Sequence, residues 1–335
     1  MPAAVALIAV HASRLARRSL AVLVLAAASA CASRTPPQVM PASPVAFDVN
    51  ASPSQPAALI AEIKAFEGAT GVAPTGNFLT SSPRLTSDER CYFTGKLQLP
   101  EFYSGLRMER ESEARCEARA GESDVFFYPV QAVASGSEAI TVSLAQAPVE
   151  RLLVVVPHED FHNQAETWKA PTEVAEAAST LLGLLTASAF AKEQYGPESP
   201  TFLAIDRDIE LFLRKSLLVN QYYAKVHALY ESFQSGMLDE RQTMAEKREL
   251  FDELQRACTA ISPEPVSFNK CPAAMNNAGL AFDQTYTRNY PLLYGLYTLL
   301  GNDTAALVAR LKALMVAWPA GAATATDLLH SRVGE

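Results

Sequence analysis

Basic residues are in the minority in this chain of 335 residues, which has 28 Lys and Arg against 36 Asp and Glu and a net charge of −8. Proteins that bind nucleic acid neutralise phosphates with clustered Lys and Arg, and the sequence has no such basic stripe. The composition therefore argues against a nucleic-acid partner. The chain also has no repeat with a period of about 20 to 50 residues, the period typical of solenoids and propellers.

The N-terminal region lacks an apolar run long enough to cross a membrane. Residues 1–30 contain three arginines, an apolar run from Leu20 to Ala28, and small residues before Cys31. A membrane-spanning helix needs about 20 apolar residues, so this shorter run predicts a secretory signal peptide over residues 1–30. Removing it takes the net charge from −8 to −11, because the segment holds three arginines and no acidic residue.

The residues around Cys31 predict a lipid anchor. Cys31 follows the tripeptide Ala-Ser-Ala, which is similar to a bacterial lipobox, where the cysteine is acylated and becomes the mature N-terminus. Residues 31–56 are rich in Pro, Ser and Ala and predict an unstructured tether. We therefore expect a lipoprotein of the cell envelope, bound to the membrane through the lipid on Cys31 and facing the periplasm. Plain secretion is the alternative.

Cysteine is scarce, and the four cysteines after Cys31 fall into two locally spaced pairs. In a chain bound for an oxidising compartment, this spacing predicts the disulfides Cys91–Cys116 and Cys258–Cys271, each closing a short loop. Spacing alone leaves cross-pairing open. A four-cysteine zinc site is the rival interpretation, but the sequence lacks the C-x-x-C pairs typical of such sites.

Hydrophobic periodicity predicts a mainly α fold with a minor β element that precedes a histidine-containing helix. We expect one domain over residues 57–335, with an N-terminal part at 57–150 and a second part at 151–335 that contains this helix. Residues 172–193 are apolar on most faces, which indicates a buried central helix. The predicted helices cover 57–67, 172–193, 201–233, 239–258, 274–300 and 303–316, and the predicted strands cover 124–128 and 139–144. Residues 77–121 are polar and predict an irregular segment.

An H-E-x-x-H motif, formed by His158, Glu159 and His162, lies within RLLVVVPHEDFHNQ. Residues four apart lie on one face of a helix, so both imidazoles can bind one metal ion while the glutamate faces the water that the metal activates. Neutral imidazoles suit Zn²⁺, and the motif therefore predicts a zinc site. The alternative is a helix whose two histidines merely pack, with an exposed glutamate.

Pro157 immediately precedes His158 and cannot supply a backbone N–H to a helix. It fits the first helical position after the LLVVV run has formed a strand, or the interior of a helix that begins near Glu150. Both alternatives keep the two histidines on one face.

A zinc hydrolase needs a third protein ligand. Glu166 lies about 12 Å from the first histidine along a continuing helix, too far to share its metal. His227 and His330 have no supporting context and are interpreted as ordinary helix residues. Glu176 is the chosen ligand, because a carboxylate in so apolar a helix is costly to bury unless it meets a cation. Glu173, in the first turn of that helix, is the alternative.

Three stretches carry a resemblance to a known family. HEDFHNQ at 158–164, a glutamate 14 residues after His162, and MNNAGLAFDQTYTRNYPLLYGL at 275–296 resemble the bacterial lipoproteins predicted to be zinc aminopeptidases, gluzincin-type proteins with a glutamate on the helix after H-E-x-x-H. The resemblance covers roughly residues 150–315. In the family the glutamate lies in Asn-Glu-Ser-Phe-Ala, whereas here it lies in Ala-Glu-Ala-Ala-Ser, so Glu173 stays open as an alternative to Glu176.

The resemblance implies a zincin-like helical domain, with residues 151–335 as its catalytic part. It also implies a zinc-dependent, aminopeptidase-like hydrolysis of peptides. His158, His162 and Glu176 would hold Zn²⁺, and Glu159 would accept a proton from water and pass it to the leaving amine. Tyr286 is the candidate donor to the tetrahedral oxyanion, with Tyr290 as second candidate. By analogy with lipoproteins, Ala32 after the acylated cysteine favours the outer membrane. A non-catalytic envelope scaffold or binding module with a degenerate or structural metal site is the alternative function.

Overall fold

The structure is a computed structural model that describes residues 54–82, 87–133, 135–268, 271 and 275–318. The predicted signal peptide, the Cys31 anchor, most of the predicted tether and His330 lie outside the described residues. Over these ranges the chain is mainly helical with one small sheet, which confirms the predicted fold class.

The small sheet precedes the long helices in the chain. Short 3₁₀ turns at Gly68–Thr70, Tyr103–Gly105, Arg119–Gly121 and Thr167–Lys169 connect some of the elements. The described elements are α1 Ser54–Glu67, β1 Asp88–Gly95, β2 Arg107–Glu109, α2 Glu113–Ala118, β3 Ser123–Val130, α3 Val142–Ala145, α4 Val149–His162, α5 Thr172–Tyr195, α6 Pro200–Gln234, α7 Glu240–Thr259, α8 Asn277–Thr287, α9 Tyr290–Leu299 and α10 Thr304–Val316.

Helix α5 is the centre of the fold. It is long and apolar enough to span a membrane by composition, yet 94% of its most apolar window is buried inside the protein. Its neighbours are α1, α4, α6, α8, α9 and α10. The interior location explains why α5 is apolar on nearly every face, and the sequence prediction of a buried central helix is confirmed.

The run Leu152–Val156 is part of α4, so Pro157 lies inside a helix that begins at Val149. Three consecutive valines favour a strand by propensity, but tertiary contacts override that preference. Leu152, Leu153 and Val156 are fully buried in the core shared with α5. The motif histidines therefore stand on a helix whose N-terminal half is held by the core.

The sheet is antiparallel, in the order β2-β1-β3. Helix α8 packs on it, and the ring of Phe282 lies 5.3 Å from Tyr92 and 4.7 Å from Phe126 between ring centroids. Aromatic pairs at these separations stabilise an interface beyond their burial of area. The contact holds β1 and β3 beside α8.

Both predicted disulfides are present. Cys91 of β1 bonds to Cys116 of α2, and Cys258 near the end of α7 bonds to Cys271 in the segment before α8. Cys91 and Cys116 are completely buried. The first disulfide supports the small sheet, where the apolar core is thin.

The predicted strand at 139–144 is wrong. Ile140 makes a single bridge to Ser81, and α3 begins two residues later. The hydroxyl of Thr141 accepts a hydrogen bond from the Leu144 backbone N–H, which caps α3 at its N-terminus. The β-branched residues of this stretch thus act as a helix cap and as core side chains rather than as a strand.

Two further segments differ from the prediction. The stretch 77–121 looks irregular in sequence but contains β1, β2 and α2. The single helix predicted over 274–300 is split into α8 and α9 around Arg288 and Asn289. Pro291 lies in the first turn of α9, where its missing N–H costs no helical hydrogen bond, so the chain can start a new helix there.

Candidate metal centre

Three predicted ligand side chains converge where α4 packs on α5. His162 Nε2 lies 3.2 Å from His158 Nε2 and 3.0 Å from Glu176 Oε2, and His158 Nε2 lies 3.4 Å from the same carboxylate oxygen. The histidine side chains keep 15% of their surface exposed and that of Glu176 keeps 11%. Solvent and a ligand can therefore reach this cluster.

The three donor atoms fit a zinc ion in their spacing and chemistry. Ligand atoms at about 2.0 to 2.2 Å from tetrahedral zinc lie about 3.3 Å from one another, close to the separations of 3.0 to 3.4 Å found here. Two imidazoles and one carboxylate are also the ligand types of catalytic zinc sites with an open fourth position. One other group in the described part of the chain, Cys91, Glu111 and Cys116, has comparable spacing, but its cysteines form a disulfide.

Glu176 is held in its ionised form. Burial alone would raise the pKa of its carboxyl group, but the charges and hydrogen bonds of His162 and His158 outweigh burial and lower that pKa well below its usual range. The pKa of His162 moves the opposite way: burial lowers it, and the Glu176 carboxylate more than compensates and raises it. The site thus places an anion beside two imidazoles, an arrangement that a bound cation would stabilise.

Tyr103 orients the Glu176 carboxylate, and no sequence pattern had indicated it. Its hydroxyl donates to Glu176 Oε1 at 3.0 Å, which leaves Oε2 for the histidines. Its backbone N–H donates to Thr285 Oγ1 at 2.8 Å, so the turn that carries it is fixed to α8. Burial, and then the negative charge of Glu176, raise the pKa of Tyr103. The hydroxyl therefore remains a donor at neutral pH.

Tyr103→Phe is expected to weaken zinc binding by about 10-fold to 100-fold, the usual effect of removing a hydrogen bond that orients a metal ligand. Competition with a chromophoric chelator measures the affinity. The matched control is Tyr92→Phe, a buried tyrosine of the same aromatic cluster with a ring centroid 6.2 Å from that of Tyr103 and a hydroxyl that meets Arg90. Equal zinc affinity in wild type and Tyr103→Phe would contradict the orienting role.

His158 is positioned by α5. Its Nδ1 lies 3.5 Å from Thr180 Oγ1, and Gly183 lies against its backbone. A Cβ atom on Gly183 would stand 2.7 Å from the Val154 carbonyl oxygen and 3.1 Å from His158 Cβ. The two helices can approach this closely only because residue 183 has no side chain.

Glu159 lies beside the three converging groups without joining them. It is half-buried and is one of the residues that line both cavities described below. Burial raises the pKa of Glu159, and the neighbouring His158 and His162 oppose this rise. A carboxyl group with a raised pKa is a stronger base than an exposed one, as a proton acceptor near neutral pH requires.

On the opposite side of α4, Asp160 anchors the motif helix to the N-terminal part of the domain. It is completely buried and accepts hydrogen bonds from Lys64 and from Thr75 Oγ1, the latter at 2.5 Å. Glu67, 2% exposed, lies next to it. Burial, and then the charge of Asp160, raise the pKa of Glu67 to about 9. Glu67 is therefore protonated at neutral pH.

Glu67→Gln is expected to stabilise the protein increasingly as the pH rises. The pKa of Glu67 is raised from 4.5 to about 9 in the folded chain, so wild-type stability falls between these pH values, because Glu67 ionises in the unfolded chain while it stays protonated in the folded chain. The amide removes that loss, and at about 1.4 kcal/mol per pH unit we expect its advantage in unfolding free energy to grow by about 4 kcal/mol from pH 5 to pH 8. Denaturant unfolding at several pH values measures it.

Glu62→Gln is the matched control for that experiment, because Glu62 lies on the same helix and is exposed. It should show no growing difference from wild type. A pH-independent difference for Glu67→Gln would contradict the assignment of Glu67 as a protonated buried acid.

The three converging side chains form part of the wall of an open cleft of about 510 Å³. Much of the remaining wall is aromatic, and Trp168 at the rim is 74% exposed. Because aromatic faces and an exposed tryptophan suit an extended, partly apolar chain, the cleft can accept more than a small molecule. The aromatic lining residues are Tyr92, Tyr103, Tyr128, Trp168, Phe282 and Tyr286.

Of the two tyrosines named as oxyanion donors, the structure brings Tyr286 to the site. Its ring stacks at 6.5 Å from the His158 ring between centroids, and burial, then the charge of Glu176, raise its pKa well above the usual value. Tyr290 is completely buried in the core against Phe212 and lines neither cavity. It is a packing residue.

The remaining candidates lie away from the centre. Glu173 is half-buried in the first turn of α5 and is not among the converging groups, so of the two open alternatives only Glu176 reaches the histidines. Glu166 follows the end of α4, whose last residue is His162. His227 is an exposed residue of α6 that lies 3.7 Å from Glu231.

Sequence reasoning missed the contributors from the N-terminal part and from the beginning of α4. Two of these lining residues, Arg90 and Tyr103, lie in the stretch 77–121, which was predicted to be irregular, and Tyr128 lies in a short predicted strand. Arg151 directly precedes the apolar run before Pro157. None belongs to a local spacing pattern, since each reaches the site through long-range contacts.

Comparison of the chain with protein-family models, with curated proteins and with solved structures gave no match.

Proposed function

We propose that the protein is a zinc-dependent peptidase of the cell envelope. The observation that carries the proposal is the convergence of His158, His162 and Glu176 within 3.0 to 3.4 Å of one another on the wall of a cleft of about 510 Å³. A bound zinc ion would supply a Lewis acid that polarises a peptide carbonyl and makes water more acidic. The aminopeptidase family resemblance supports the same class of reaction.

The proton transfers, the stabilisation of the oxyanion and the positioning of the ligands are assigned to residues of the chain. Glu159 accepts a proton from the attacking water and later donates it to the leaving amine. The water adds to the carbonyl carbon, the C–N bond breaks, and a carboxylate and an amine are released. Tyr286, beside His158, donates a hydrogen bond to the oxyanion. Tyr103 and Thr180 are positioning residues that orient Glu176 and His158.

The cleft favours a peptide as substrate. Its aromatic wall offers apolar contact along a bound peptide, while the three converging side chains are polar and accessible to solvent. Delivery to the envelope through residues 1–31 belongs to the same proposal and agrees with the two disulfides, which persist in an oxidising compartment.

The test is chelator-sensitive hydrolysis by the purified full chain. A mixture of short peptides is incubated with zinc-loaded protein, with protein stripped by a chelator, and with stripped protein given zinc again, and the products are read by mass spectrometry. We expect cleavage in the first and third samples only. A protein that binds zinc but cleaves no peptide would contradict the peptidase proposal and leave the scaffold alternative.

A further inference from the structure

A second cavity, of about 130 Å³, adjoins the metal centre. It shares His158, Glu159 and Tyr286 with the main cleft and extends along α4 to Arg151. The wall between these two ends is largely apolar and includes Val155, Leu184, Phe212, Phe268 and Phe282. A cavity with an apolar wall and a cation at one end suits a group that is apolar along its side and anionic at its tip.

Among the described residues, the hydrogen-bond partners of Arg151 are all uncharged. Its Nε donates to Gln131 Oε1 at 3.1 Å, its Nη1 to the Ser267 carbonyl oxygen at 2.9 Å, and its Nη2 to Tyr128 Oη at 3.3 Å. A guanidinium has five N–H groups, so two remain after these bonds. The charge of Arg151 acts on the Glu159 carboxyl group, but no carboxylate of the described residues forms an ion pair with Arg151. Because a half-buried positive charge without an ion-pair partner is costly, the site is suited to an anion that arrives from outside.

The other charges of the two cavities do not fill this role. Lys215 pairs with Asp283 at 2.9 Å. Arg90, in the main cleft, is paired with Asp88 at 2.7 Å. Arg151 is thus the cationic lining residue that has no carboxylate partner within the part of the chain that the structure describes.

Recognition of a free α-amino group would need a carboxylate. Among the described lining residues of the two cavities the carboxylates are Glu159, Glu176 and Asp283. The first is the proposed proton acceptor, the second a proposed ligand, and the third is paired with Lys215. The charges of the site therefore favour a substrate carboxylate over a substrate amine.

We propose that the second cavity holds the C-terminal residue of a peptide, with its α-carboxylate on Arg151 and an apolar side chain against Leu184, Phe212 and Phe268. The inference rests on the proposed peptidase function and gives it a direction: the enzyme removes C-terminal residues, as a carboxypeptidase does. Arg151 and His158 are seven residues apart on α4, two helical turns on one face, so the carboxylate site and the metal centre lie in line.

Matched peptides test the proposal on the unaltered protein. N-acetylated tetrapeptides ending in leucine are compared as free acid and as carboxamide with the zinc-loaded full chain. We expect kcat/KM to be on the order of 100-fold higher for the acid, with release of leucine, because the amide forfeits a charged hydrogen bond. Equal rates for acid and amide, or preferential release of N-terminal residues from unblocked peptides, would overturn the proposal.

A binding measurement separates this inference from the proposed function. Calorimetry with zinc-loaded Glu159→Gln gives the Kd of the same acid and amide without turnover. Tighter binding of the acid, on the order of 100-fold, supports the carboxylate site even if no peptide is cleaved, in which case the peptidase proposal alone fails. Equal Kd values overturn the carboxylate site while leaving the hydrolytic function standing.

Variants assign the preference to one arginine. Arg151→Gln should bring the acid-to-amide ratio to about 1, and Arg151→Lys should keep part of it because the charge remains. Arg90→Gln, the matched arginine of the main cleft, should leave the ratio unchanged. If Arg90→Gln removes the preference and Arg151→Gln does not, the proposal is wrong. Circular dichroism checks folding, and should Arg151→Gln fail to fold, Arg151→Lys decides.

Discussion

Glu159→Gln is expected to lower kcat for peptide hydrolysis by about 1000-fold while the protein still binds zinc. The amide has nearly the shape of the carboxylate but cannot accept a proton. Glu159 stands outside the three converging ligand groups, so its replacement should leave the metal content unchanged. Steady-state kinetics with a cleaved peptide, together with metal analysis of the same sample, measures both quantities.

Glu166→Gln is the control for that experiment, because Glu166 is also half-buried and lies just beyond the motif helix but outside both cavities. It should retain wild-type kcat. A Glu159→Gln protein that hydrolyses peptides at the wild-type rate would show that this glutamate is not the proton acceptor.

Gly183→Ala is expected to destabilise the protein by about 2 kcal/mol and to weaken zinc binding at the same time. The added Cβ would lie 2.7 Å from the Val154 carbonyl oxygen, so α4 and α5 must separate. His158 and His162 stand on one of these helices and Glu176 on the other, and separation of the helices therefore pulls the donor atoms apart. Thermal unfolding and a zinc competition assay detect the two effects.

Gly295→Ala is the control and is expected to have the opposite effect on stability. Gly295 lies inside α9, and a Cβ atom there meets nothing within 4 Å. Alanine in a helix interior is favoured over glycine by about 0.5 to 1 kcal/mol, so this variant should gain stability and keep its zinc affinity. If Gly183→Ala behaves like Gly295→Ala, the close contact of α4 with α5 does not hold the site together.

The helices were predictable from sequence wherever one periodic pattern extended over several turns. Helix α5 was predicted at 172–193 and is found at Thr172–Tyr195. The sequence left alternatives open, or misled, where local propensity and tertiary contacts disagree. The valines before Pro157 favour a strand but are buried in α4, and Ile140 and Thr141 look like strand residues but lead into a capped helical turn.

The candidate site was likewise predictable only in part. The positions of His158, Glu159 and His162 were predictable because they follow from spacing along one helix. The position of Glu176 was predictable because a carboxylate in an apolar helix is costly without a cation. Tyr103 and Arg151 were not predictable. Tyr103 reaches Glu176 across 73 positions of sequence, and Arg151 is defined by its neutral partners Gln131, Ser267 and Tyr128, which only the fold brings together.

Metal analysis of wild type beside His158→Ala tests the central claim most directly. Both proteins are loaded with zinc, dialysed against buffer without metal and measured by elemental analysis. The convergence of the two imidazoles and the Glu176 carboxylate predicts about one zinc ion per wild-type chain and a near-complete loss in the variant. Wild-type protein that retains no zinc, or a His158→Ala protein that retains as much as wild type, would contradict the account.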